Sequence, residues 1–143
     1  MISKESRLMA GSLLVVLPTV LYGGLFLLTQ LVDDRSGYMA NPLRQNLFRA
    51  GHAHAGVLLL LSLIGLRYVD EANLSPILKW VVRFGIPSAA ISLPMAFFFS
   101  VLSPTATHPN GFINLAYVGA VVLAISLLVL GVGLLRSRTT SSA

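Results

Sequence analysis

The 143-residue chain is 55% apolar and only 10% charged, with a net charge of +5, no cysteine and a mean hydropathy of +0.81. A soluble domain carries about 25% charged residues, so this composition excludes an ordinary water-exposed globule and implies a protein whose surface meets lipid. The missing thiols exclude disulfides, thiolate catalysis and cysteine-based metal sites. The basic residues form no stripe interleaved with aromatics, which argues against nucleic-acid binding.

Crossing a bilayer takes about 20 apolar residues in a helix. The first such stretch, residues 8–32, carries no formal charge. Lys4 and Arg7 precede it, as in a secretory signal, but the run is too long for a signal core and no small-residue cleavage site follows. Loop one, residues 33–46, bears Asp33, Asp34, Arg35 and Arg44. The second helix is expected over 47–67, with His52 and His54 in its first turns.

After loop two, with Asp70 and Glu71, the third helix is expected over 77–103. It contains Pro87 and Pro94, which remove backbone donors and favour kinks. Ser88 and Ser92 are placed to re-satisfy the freed carbonyls, and Phe97, Phe98 and Phe99 form an aromatic cluster near the far end. Loop three, Ser103 to Gly111, has the Pro and Asn-Gly content of turns. The fourth helix is expected over 112–135, and the Ser/Thr-rich tail 137–143 reads as disordered.

These elements define an all-α, four-helix transmembrane bundle, a single domain over 1–136. Short loops make consecutive helices antiparallel neighbours, up-down-up-down. Lys4, Arg7, Arg67, Lys79, Arg83, Arg136 and Arg138 fall on one side of the membrane; Arg35, Arg44 and Arg49 fall on the other. The richer side is cytoplasmic by the positive-inside rule, which puts both termini there. The expected location is a cytoplasmic membrane, crossed several times.

This topology places all three histidines, His52, His54 and His108, at the outer face. Residues two apart on a helix point to nearly opposite sides, so His52 and His54 cannot readily chelate one ion. Arg49, His52 and Gly56 lie one turn apart on one face, completed by Ala55 and Leu59. An imidazole, a small residue leaving room for a flat macrocycle, and an arginine at headgroup level suit a haem site. Gly51, Ala55 and Leu58 flank His54. Plainer roles stand beside this one. Arg49 suits an interfacial anchor, the paired histidines suit water or lipid phosphate, His108 suits an ordinary loop, and the small residues suit helix packing. Ala116, Ala120 and Ala124 read as a helix-contact row on the fourth helix. Tyr22, Tyr38, Tyr68 and Trp80 fit interfacial belts, and Asp33, Asp34, Asp70 and Glu71 look solvated. Phosphate loops, nucleophile elbows and HExxH are absent. No carboxylate lies in a spanning segment, which argues against a proton-coupled transporter.

The run Phe48-Arg49-Ala50-Gly51-His52-Ala53-His54-Ala55-Gly56-Val57-Leu58-Leu59 resembles the haem-ligand helix near the start of haem-copper oxidase and nitric oxide reductase catalytic subunits. Tyr22-Gly23-Gly24-Leu25-Phe26 is compatible with their first helix. The whole chain is similar to small four-helix bacterial membrane proteins that share the Arg-Ala-Gly-His-Ala-His-Ala-Gly run. The oxidase resemblance covers at most the first half, and the later histidine-bearing helices of those enzymes have no counterpart here. It therefore implies neither their copper centre nor their oxygen chemistry. It does imply haem b, with His52 or His54 as axial ligand and Arg49 or Arg44 as propionate partner. A second ligand would come from His108, from a partner chain in a two-fold dimer, or from nothing. The expected function is then electron transfer to an unidentified redox partner, or sensing. Two alternatives are a copper or zinc site built from His52, His54 and His108 without porphyrin, and a cofactor-free scaffold or accessory subunit. Whether the chain is an enzyme stays open.

Overall fold

The computed structural model describes residues 2–137. Arg138 and the rest of the tail lie outside them. Within this range the chain forms α1 (Lys4–Val16), α2 (Pro18–Val32), α3 (Pro42–Tyr68), α4 (Pro76–Ser100) and α5 (Asn114–Ser137), with short 3₁₀ turns at Asp34–Ser36 and Gly111–Ile113. Four helical segments are long and apolar enough to cross a membrane: Lys4–Val32, Pro42–Tyr68, Pro76–Ser100 and Gly111–Ser137.

The first segment has a lapse between α1 and α2 but keeps the single course expected of it: Leu17 stays in the right-handed helical region and its N–H reaches the Leu13 carbonyl. Pro18 has no N–H to give the preceding turn, and the helical assignment lapses at Leu17. The second helix starts five residues before the expected Leu47, because Asn41 caps it through the Arg44 amide and Pro42 occupies its first position. The third starts at Pro76 behind the Ser75 cap and stops at Ser100, short of the expected Ser103. Ser137 is the last residue of α5 and not the first of a loose tail. Pro87 and Pro94 both sit inside α4. Ser88 Oγ donates to the Gly85 carbonyl, not to the Arg83 carbonyl that Pro87 leaves without a donor.

α4 is the most enclosed helix, packed between α3 and α5, while the first segment packs chiefly on α3. Glycine sets the closest contacts. A methyl group on Gly85 would collide with Ser126 Oγ of α5, one on Gly65 would meet Ile86 Cδ1 at 2.7 Å, and one on Gly119 would meet Leu93 Cγ at 3.0 Å. The α5 face turned inward therefore consists of Gly119, Ser126, Leu130 and Gly133. Ala120 and Ala124 are exposed, and of the alanine row only Ala116 joins a helix contact, packing on the cluster of Leu58, Ala89, Ala90 and Leu93.

Contacts gather at two ends. At one, Ser3 and Ser6 of the N-terminus meet Asp70 and Arg83, and the Asn73 amide donates to the Gly133 carbonyl. At the other, Asn41 Nδ2 donates to the carbonyls of Pro104 and Ala106. There Tyr38, Phe48, Leu27 and Val101 form a buried cluster.

Candidate functional site

The face of α3 that meets the first segment carries His52 and Gly56. The His52 ring lies against the backbone of Gly23 and Gly24. A Cβ on Gly24 would approach its Cε1 at 3.2 Å and its Nε2 at 3.3 Å, and one on Gly23 would approach Nδ1 at 3.6 Å. The glycine pair of α2 thus forms a flat seat that larger side chains would block. The room expected beside Gly56 faces Val20, whose Cγ1 would stand 3.7 Å from an added Cβ.

His54 points elsewhere. Its Nδ1 lies 2.7 Å from the Ala50 carbonyl one turn earlier, and its ring meets Phe97 of α4 edge-on with centroids 5.1 Å apart. A carbonyl oxygen only accepts, so Nδ1 carries the proton and the lone pair resides on Nε2. The ring is exposed and borders a shallow hollow of about 150 Å³ with Ala53, Val57 and Leu58. Gly51, also flanking it, takes the Phe98 ring, which an added Cβ would meet at 2.9 Å.

His108 is exposed in loop three, its Nδ1 3.2 Å from Thr107 Oγ1. Among the described residues no three His, Asp or Glu side chains gather in a way that could hold a metal ion.

The two candidate arginines differ. Arg49 is exposed, its Nε donating to the Gln45 carbonyl at 3.2 Å and its Nη2 to Asn46 Oδ1 at 3.2 Å, as an anchor at a helix entrance would. Arg44 is only 5% exposed. Its Nε donates to the Val101 carbonyl at 3.2 Å, its guanidinium carbon stands 5.0 Å from the Phe48 ring centroid, and its Nη1 is enclosed without any hydrogen-bond partner.

Tyr38, expected in an interfacial belt, is 1% exposed and packs on Phe48. Its hydroxyl donates to the Gln45 carbonyl. Burial pushes its pKa up, and the positive charges of Arg49 and Arg44 offset only part of that.

The opposite end holds a network that the sequence reading missed. Asp70 is not solvated: its carboxylate accepts from the Ser3 amide at 2.8 Å and from Arg83 Nη2 at 2.6 Å, with both side chains about nine-tenths buried. Arg83 also reaches Ser6 Oγ and Ser3 Oγ and lies over Trp80. Burial pushes the Asp70 pKa up, but hydrogen bonds from Ser3, Ser6 and Arg83 outweigh it and hold the carboxyl below its usual value. The signal was present in the sequence. Arg83 falls between Val82 and Phe84, and a cation inside an apolar run calls for a buried partner. Comparison of the chain with protein-family models, with curated proteins and with solved structures gives no match.

Proposed function

We propose that this chain is a haem b-binding membrane protein with an electron-transfer or sensing role, in which His54 supplies an axial ligand. The observation that carries this reading is the state of the His54 ring. Its Nδ1–H is fixed on the Ala50 carbonyl, an arrangement that orients metal-binding imidazoles and leaves Nε2 basic. A bound haem would supply reversible one-electron chemistry at its iron. His54 would hold it, Phe97 would fix the ring plane, and Ala53 and Val57 would offer a low apolar seat. That seat is shallow, so a second copy of the chain would cover the other side and bring the second ligand, as an isologous interface allows. His52, pressed on the glycine pair, would hold the first segment to α3.

The contacts at the two ends support an up-down-up-down course. Lys4, Arg7, Arg67, Lys79, Arg83 and Arg136 lie toward the N-terminal end, which favours that end as cytoplasmic.

Absorption spectra of protein purified with added haem test the proposal. A Soret band is expected in the wild type and in His52→Ala, and none in His54→Ala. A wild type without the band ends the reading. The seating of His52 as a packing residue favours a second reading, a cofactor-free accessory subunit. A colourless preparation that retains a larger membrane partner through purification would select it.

A further inference from the structure

We infer that Arg44 forms the floor of an oxyanion site that takes the phosphodiester of a lipid headgroup. A guanidinium has five N–H donors in a rigid fork. Here one of them, on Nε, reaches the Val101 carbonyl. Nη1 is enclosed with no partner, while Nη2 makes no hydrogen bond and is not enclosed. The edge carrying both terminal nitrogens is therefore unsatisfied, with one nitrogen at the protein surface. A buried donor without a partner costs roughly 1–3 kcal/mol, and more when charged.

The contrast with the other buried arginine sharpens this point. Arg83 has Asp70 and two serine hydroxyls. Arg44 has no carboxylate partner among the described residues, and with Arg35 and Arg49 it outnumbers the two acids of that end, Asp33 and Asp34.

The position selects the ligand. Arg44 lies in the first turn of α3 and binds the C-terminal end of α4, the shared end of two membrane-length helices, which in a bilayer would stand at the headgroup layer. Phosphodiester is the oxyanion that a bilayer presents at that depth; one of its oxygens would meet Nη2 at the surface, and a small shift of the fork would bring Nη1 to a second. This inference requires the membrane setting and not the haem, and its test uses haem-free protein.

Thermal melting in an uncharged detergent decides the matter. Added phosphatidylglycerol is expected to raise the wild-type midpoint by about 3–6 °C, whereas diacylglycerol, with the same tails and no phosphate, leaves it unchanged. Arg35→Gln keeps the rise and Arg44→Gln loses it. If Arg44→Gln does not fold, Arg44→Lys, which keeps the charge but not the fork, is expected to lose more than about half of the rise. Equal shifts with diacylglycerol, a full shift in the Arg44 variants, or no shift in the wild type, as when a water satisfies Nη1, would overturn the site. An equal rise with inorganic phosphate alone would overturn the lipid source.

Discussion

Asp70 links the N-terminus, loop two and α4 through one carboxylate. Its folded-state pKa is depressed, so the stability it contributes is complete above its unfolded value of about 3.9. That contribution is lost as pH falls through the lower folded value. Midpoints of the detergent-solubilised protein should therefore fall on acidification below about pH 4, and Asp70→Asn should reduce that acid step. The variant should also cost about 3 kcal/mol at neutral pH, because it leaves Arg83 buried with its charge unmatched; chemical unfolding at pH 7 measures this. Gly24→Leu tests the other anchor of the first segment. A branched side chain there meets the His52 ring, and limited proteolysis should then cut the loop between α2 and α3 faster than in the wild type. Unchanged cleavage would mean that the ring moves aside.

Among the helices, glycine and serine decide which faces meet. Gly85→Leu should cost at least about 2 kcal/mol by driving α5 away from α4, whereas Ala124→Leu, on an exposed face, should change little; paired melting curves compare them. The existence of the four spans was legible because apolar runs of about 17–25 residues, with charges confined to their ends, have few other uses. The contact faces were not. Small residues recur along several sides of α5, and spacing alone could not tell the Ala116-Ala120-Ala124 row from Gly119, Ser126 and Gly133. Likewise, the two-residue spacing showed that His52 and His54 point apart. It could not show that Gly23 and Gly24 receive the first, or that the Ala50 carbonyl orients the second, because those facts depend on partners brought together by folding. Asp70 looked solvated because its loop is short and polar; only the approach of Ser3 and Arg83 encloses it.

At the level of the whole chain, the first segment stands apart from the rest. It turns most of its surface outward and is held by Ser3 and Ser6 at one end, by His52 and Val20 along its length, and by the loop after α2. The partners of Ser3 and Ser6 lie 67 to 80 residues later in the chain. During synthesis the contacts to Arg83 cannot form until the first turns of α4 have left the ribosome. The first rod must therefore insert and wait in the bilayer by its own hydrophobicity, and the Asp70–Arg83 pair serves as a late latch that closes only when the third rod arrives. A nascent chain arrested before Arg83 should leave its N-terminal serines open to modification, and one released after it should protect them.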